Sequence, residues 1–329
     1  MQIKGKNVTY LLLNEGGIGA VLVLICIIFV LFAPNFGSIS NLSNILTQIS
    51  INTVISIGMT FVILLGGIDL SVGSVIALCS IISGKVITNA GLPIWLAIFI
   101  SIIVSILVGM LCGVFNGYVT EKWVIPSFVV TMGMLNIARG FALVISDSRT
   151  IFGFPDAFNS LGSANIAFIP VIFIIAILLV LLGNFVLKKT VYGRMIYAIG
   201  NNEEAVRLSG HNVRIYKISA YIICGGLTGI AAILYMMRLN ISSPILGNGF
   251  ELTAIAAVVI GGTSMTGGKG SMIGTLLGAC ILGVLNNGLL LIGLGDFARQ
   301  IVTGFIIVFA VVLDSYRTKL ISLSLGLSK

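Results

Sequence analysis

Charge is what this sequence has least of. Asp, Glu, Lys and Arg make up 9% of its 329 residues, where a soluble globular chain carries roughly a quarter. That scarcity excludes a water-soluble domain of any size, because too little polar surface exists to cover the apolar remainder. Histidine is almost missing. The single His211 stands in a polar stretch with no nucleophile elbow or buried acid beside it, which excludes a hydrolytic triad. The five cysteines, Cys26, Cys79, Cys112, Cys224 and Cys280, are odd in number, never form CxxC, and each lies inside an apolar run. A disulfide framework and a thiolate zinc site are thereby set aside. A phosphate-binding loop is lacking too. Thr263–Gly270 reads TSMTGGKG, but such a loop needs Gly where Thr263 stands and Ser or Thr where Gly270 stands. Any ATP chemistry must come from a partner.

What is present is apolar: 58% of residues are hydrophobic and the mean hydropathy is +1.17. Apolar runs lie at 17–33, 45–65, 70–88, 93–118, 126–145, 168–187, 215–236, 251–262, 271–292 and 298–313. A spanning helix uses about 20 apolar residues, so the chain is expected to be an all-α polytopic membrane protein with about ten helices. It forms one transmembrane domain over 1–329, and no sizeable soluble domain fits between the runs. The run at 251–262 is too short to cross about 30 Å at 1.5 Å per residue. A half-helix or partly unwound span is expected there, and a similar element after Gly66-Gly67.

The 18 basic residues outnumber the 10 acidic ones. In a soluble chain this excess would suggest nucleic acid; here, basic loops facing the cytoplasm account for it. With the N-terminus inside and ten spans, 13 of the 18 fall on the cytoplasmic side, from Lys4 and Lys6 through Lys122, Lys188, Lys189, Arg194, Arg207, Arg214, Lys217 and Lys269 to Arg317, Lys319 and Lys329. Both termini are then cytoplasmic. Lys85, Arg139, Arg149, Arg238 and Arg299 are left near outer ends or just within a span, from where they could snorkel outward. Ala33-Pro34-Asn35 is a poor signal-peptidase site, so the run at 17–33 reads as a retained first span.

Four features carry functional content. In GGIDLSVGS (66–74), Gly66 and Gly67 free the backbone, Asp69 or Ser71 can cap a new helix, and Gly73 keeps its face thin, the pattern of a broken helix. A carboxylate at membrane depth is costly unless paired or wet, so Asp69 reads as functional; a solvated helix cap at the membrane edge is the competing reading. Gly261-Gly262-Thr263-Ser264 echoes that motif after a later apolar run, and a duplicated half is a possible source of the echo. The stripes Ser101, Ser105, Gly109, Gly113, Gly117 and Gly270, Gly274, Gly278 place small residues four apart on one helix face, which suits close helix packing. The long polar stretch is Lys188–Lys217. There Asn201 or Asn202 caps a short helix carrying Glu203, Glu204 and Arg207, and Gly210 stops it. Such a helix suits docking to a cytosolic partner, against the plainer reading of a solvated connector. Buried amides, Asn52 and Asn287 among them, suit either a sugar path or interhelical bonding.

Three segments, GGIDLSVGS (66–74), GRMIYAIGNNEEAVRLSG (193–210) and FELTAIAAVVIGGTSMTGGKGSMIGTLLGA (250–279), with LGVLNNGLLLIG (282–293), resemble the ribose-type sugar permeases over nearly the whole chain. The resemblance implies the membrane subunit of an ATP-binding-cassette importer in a bacterial inner membrane, with no catalytic centre and no cofactor of its own. It implies a second permease copy, a cytosolic ATPase that binds ATP and magnesium, and a periplasmic sugar-binding protein. Gly193, Arg194, Asn201, Glu203, Glu204 and Arg207 would meet the ATPase. Gly66, Gly67, Asp69 and Ser71 with Glu251, Gly261 and Gly262 would form the core near the translocation path. An importer of nucleosides or branched-chain amino acids is the alternative, and an ion-coupled carrier a more distant one.

Overall fold

The computed structural model describes residues 3–306 except 90, together with 308, 309 and 312. The run expected at 298–313 therefore falls partly outside the described residues, and Arg317, Lys319 and Lys329 fall wholly outside them. In chain order the helices are α1 (Ile3–Phe32), α2 (Ile39–Leu64), α3 (Val72–Asn89), α4 (Ile94–Trp123), α5 (Ser127–Ile145), α6 (Asp156–Ser163), α7 (Val171–Lys189), α8 (Val191–Asn201), α9 (Glu203–Leu208), α10 (Val213–Leu239), α11 (Phe250–Ile260) and α12 (Met272–Leu291), with 296–306 again helical. Seven of these are long and apolar enough to cross a membrane, while α3 and α11 are shorter apolar helices. An all-α polytopic membrane protein is the fold that results.

Burial separates the helices into two shells. In the spanning windows of α2 and α10, 78% of residues are inside the bundle, against 28% for α4, α5 and α7. The central pair therefore holds little surface for lipid, and α4, α5 and α7 wrap it. The two tryptophans mark the membrane's width. Trp95 and Trp123, both exposed, sit at opposite ends of α4, about 42 Å apart at 1.5 Å per residue, close to the bilayer thickness with headgroups. Lys122 lies over Trp123 and Tyr118 at 5.0 and 5.1 Å, a cation on an aromatic anchor at the interface.

The small-residue stripe of α4 faces α10. A Cβ placed on Gly113 would lie 2.7 Å from the Tyr221 carbonyl carbon and 2.9 Å from Ile222 Cα, and one on Gly109 would lie 2.9 Å from the Gly225 carbonyl carbon. Backbone thus touches backbone, and Ser105 Oγ donates to the Gly229 carbonyl at 2.8 Å across the same seam. The second stripe does the same for α12, with Gly274 against Gly261 and Gly278 against Ala257. Hydrophobic burial gives no drive between helices in lipid, so close packing of this kind supplies it.

At the Trp95 end of the bundle, β1 (Ile151–Phe152) pairs antiparallel with β4 (Ile241–Ser242), and β2 (Asn165–Ile166) with β3 (Ile169–Pro170). Phe154 and the fully buried Phe158 stack edge to face over the C-terminal end of α10. The connection from β4 to α11 does not stay at that end. Ser242 Oγ donates to Ser80 Oγ at 3.0 Å, and Gly247 packs its backbone on Gly73, so this segment descends along α3 for about 10 Å of helix rise. Non-helical backbone at that depth must have its polar groups satisfied by protein. Arg139 of α5 does so, with Nη1 donating to the Pro244 and Leu246 carbonyls at 2.6 and 2.8 Å. Its expected outward snorkelling is corrected: the free carbonyls of the descending loop draw the guanidinium inward.

A candidate translocation and coupling site

Helix α2 ends where the sequence places two glycines. Gly67 N–H donates to the Val62 carbonyl at 3.0 Å and Gly66 N–H to the Ile63 carbonyl at 2.8 Å, with Gly66 at φ +75°. This is a Schellman closure, and its left-handed position favours glycine. Residues 67–71 then run extended before α3 begins. The opened backbone is held by α5: Ile68 N–H donates to Ser127 Oγ at 3.0 Å, Leu70 N–H to Thr131 Oγ1 at 3.1 Å, and Thr131 Oγ1 to the Ile68 carbonyl at 3.2 Å. Two hydroxyls on α5 are what make the break tolerable inside a membrane.

Asp69 lies in this extended stretch and is 2% exposed. Its Oδ1 accepts from Ser71 N–H at 2.9 Å and from Ser71 Oγ at 2.6 Å, and Asn116 Nδ2 of α4 donates to Ser71 Oγ at 3.0 Å. Asn116 precedes Trp123 by seven residues, which sets the cluster about 10 Å in from the membrane edge. The carboxylate is buried and hydrogen-bonded there, and no salt bridge to it occurs among the described residues. A solvated edge cap does not describe it. Asn116 Oδ1, buried beside it, has no hydrogen-bond partner among the described residues. The carboxylate of Glu251, in the first turn of α11, lies over Gly73. Two acids therefore meet the N-terminal turn of α3, where the helix dipole favours negative charge.

Helix α11 closes like α2: Gly262 N–H donates to Val259 at 2.8 Å, Thr263 N–H to Val258 at 3.1 Å, and Gly262 has φ +82°. The same closure ends α9 at Gly210 and α12 at Gly293, so the turn alone does not make the two motifs a repeat. What joins them is contact. Gly268 N–H, in the loop after α11, donates to the Leu64 carbonyl at the end of α2 at 2.9 Å.

The polar stretch is seated on that contact. Thr190 accepts from Gly193 N–H at 3.1 Å to cap α8, and Asn202 from Ala205 N–H at 2.9 Å to cap α9. Asn201 Nδ2 donates to the Gly268 carbonyl at 3.4 Å, Tyr197 Oη to the Gly270 carbonyl at 2.9 Å, and Gly200 packs on the Leu64 carbonyl and the Gly268 backbone. The end of α8 thus touches both breaks. Among the predicted coupling residues, Gly193 is buried on the end of α7, Arg194 is exposed, and Glu204 and Arg207 pair with each other in solvent. Glu203 is turned inward to Lys217 at 2.7 Å.

The remaining amides divide. Asn287 of α12 exchanges two 3.0 Å hydrogen bonds with Asn41 of α2, an interhelical pair away from the Asp69 cluster. Asn52 is half-buried on α2, one residue from Thr53, whose Oγ1 has no partner among the described residues. Gly261 packs against Gly274 of α12. Sequence reading missed Gly200 and Gly268, whose Gly-Gly-Lys neighbourhood was considered only as a phosphate loop, and it missed Ser127, Thr131 and Glu121. Nothing local marks them; each acquires its role from a partner distant in sequence.

Below the first break, a cavity of about 540 Å³ is lined by Gly66, Gly67, Glu121, Ser127, Lys217 and Tyr221, among others, and reaches Glu203 and Arg207 of α9. Two broken helices meeting in the membrane, a polar loop tied to both and a cavity below the first define a membrane permease, a conduit that ends at one water-facing surface. The chain belongs to the family described as the permease component of branched-chain amino acid transport systems, whose model matches residues 41–311. It is 40% identical over 309 residues to the ribose import permease protein RbsC of Haemophilus influenzae, covering 93% of this chain and 94% of that one. It is 42% identical to the protein of the same name from Bacillus subtilis, over 89% and 90% of the two chains. With the L-arabinose transport system permease protein AraH of Escherichia coli K12 it shares 36% identity over 91% and 89%. No solved structure matches it.

Proposed function

We propose that this chain is the translocation subunit of an ATP-binding-cassette importer for a ribose-like monosaccharide, working without cofactor or catalysis of its own. The carrying observation is the seat of α8 on both membrane breaks, through Gly200 and Asn201 to Leu64 and Gly268. A force applied to α8 and α9 from the cytosol reaches the ends of α2 and α11 without passing through a flexible linker. The partner ATPase binds ATP and magnesium and supplies that force; Glu204, Arg207 and Arg194 are the exposed groups it meets. A periplasmic sugar-binding protein delivers the substrate to the opposite face, and a second copy of the chain completes the conduit in the bacterial inner membrane. Asp69, Ser71, Asn116 and Glu251 offer hydroxyl-binding groups along the path. Relatives named for ribose and for arabinose, at 36 to 42% identity, favour a sugar over a nucleoside or an amino acid.

The basic residues Lys122, Lys188, Lys189, Arg194, Arg207, Arg214, Lys217 and Lys269 gather at one end of the bundle, and by the bias of basic loops that end is cytoplasmic. Helix α1 starts from the same end, since Ser271 Oγ donates to Glu15 there at 2.6 Å. The test is Glu204→Lys with Arg207→Glu. A helix docked in a groove loses about 2 kcal/mol or more when a central contact is removed, so the variant should insert normally yet fail to retain the ATPase on purification. Normal retention with normal uptake would reduce α9 to a solvated connector.

A further inference from the structure

Lys217 Nζ, near the start of α10, lies 2.7 Å from Glu203 Oε2 of α9 and 3.1 Å from Glu121 Oε1 near the end of α4. The Lys217 and Glu121 side chains are 20% and 13% exposed. Neither residue is placed where its own helix favours it. A cation near the N-terminus of α10 and an anion near the C-terminus of α4 both oppose the helix dipoles. Their presence is accounted for by one another and by Glu203, not by local preference. The balance is also uneven, with two carboxylates on one ammonium, and the lysine is the cation that bridges Glu203 and Glu121.

The junction has a particular location. Glu121, Lys217 and Glu203 all line the cavity that reaches up to Gly66 and Gly67, and α9 forms part of its water-facing wall. Holding α9 against α4 and α10 therefore narrows the mouth of the cavity on that side. We infer that Lys217 is a positioning residue that clamps α9 to the ends of α4 and α10 that meet it, so that displacement of α9 by the motor widens that mouth in the same movement. This rests on α8 and α9 being the surface the ATPase meets, and it adds how that surface is geared to the exit.

The test uses the complete complex of permease, ATPase and binding protein in proteoliposomes, reading substrate molecules carried per ATP hydrolysed. Lys217→Met leaves the two carboxylates facing each other and frees α9. It is expected to lower that ratio about tenfold, equivalent to about 1.4 kcal/mol, while the ATPase subunit stays bound. A merely destabilised chain would lower uptake and hydrolysis together and leave the ratio unmoved. Lys217→Arg keeps the bridging charge and should restore the ratio. Lys217→Met with Glu203→Gln removes the repulsion and should recover part of it, which keeps the inference testable should the single variant insert poorly. An unchanged ratio in Lys217→Met, or no recovery in either second variant, overturns the clamp. Loss of the ATPase from Lys217→Met also overturns it, because the junction would then be part of the docking surface. Failure of the docking reading itself shows separately, in retention of the ATPase by Glu204→Lys with Arg207→Glu.

Discussion

Gly113→Ala adds one methyl group at the tightest kind of place this fold contains. In most helices the change is favourable, since alanine exceeds glycine in helix propensity by about 1 kcal/mol. Here the new Cβ would stand 2.7 Å from the Tyr221 carbonyl carbon and 2.9 Å from Ile222 Cα, and backbone atoms cannot rotate aside. Helices α4 and α10 must separate. A gap of 0.5 to 1 Å forfeits about a quarter to a half of the dispersion energy along the seam, and overpacking costs about 1 to 3 kcal/mol. Separation also stretches the buried bond from Ser105 to Gly229, worth about 1 kcal/mol. The propensity gain offsets only part of this, leaving a net loss of about 1 to 3 kcal/mol. Gly113→Leu should lose more. Gly133→Ala on α5 is the control, because nothing among the described residues lies within 4 Å of its Cβ. Thermal unfolding in detergent should show Gly113→Ala less stable than the parent and Gly133→Ala equal or more stable. Equal stability of Gly113→Ala and the parent would refute the close α4–α10 contact.

Further outcomes are expected elsewhere. A single cysteine at Asn202, in a cysteine-free background, should react with an impermeant maleimide only from the cytoplasmic side; labelling of intact spheroplasts from outside would reverse the topology. Asn287→Leu leaves Asn41 Oδ1 unpaired, while Asn41 Nδ2 keeps its bond to the Phe36 carbonyl, and should cost about 1 to 3 kcal/mol; adding Asn41→Leu should recover part of it. Additive losses in that double-mutant cycle would show that the two amides do not pair.

The features read correctly from the sequence are those written in a few neighbouring residues. Spacing of four from Ser101 to Gly117 predicts a seam whatever the partner, and Gly66-Gly67 followed by Asp69 and Ser71 predicts a stop and a restart. Asn202, Glu203 and Gly210 likewise mark a short capped helix. Legibility ends where a role depends on a distant partner. Asn287 carries the same amide as Asn52, and only the fold brings it to Asn41. Glu203 looks like a free surface acid until the fold brings it to Lys217, which also holds Glu121. The connection ISSPILGNGF before α11 has a loop's composition and reads as outer, yet the guanidinium of Arg139 and the bare backbone of Gly73 let it descend into the bundle. Those contacts span more than a hundred residues, and no local pattern encodes them.

As the translocation subunit proposed above, this chain would conduct a sugar only when driven and supplied by partners. The chain is to be reconstituted into proteoliposomes with its cognate ATPase and binding protein, and uptake of labelled ribose, arabinose, adenosine and leucine measured with and without ATP. The account predicts uptake of a monosaccharide that stops when ATP, the ATPase or the binding protein is omitted. Sugar uptake by the chain alone down an ion gradient, or ATP-driven uptake of only the nucleoside or the amino acid, would contradict it.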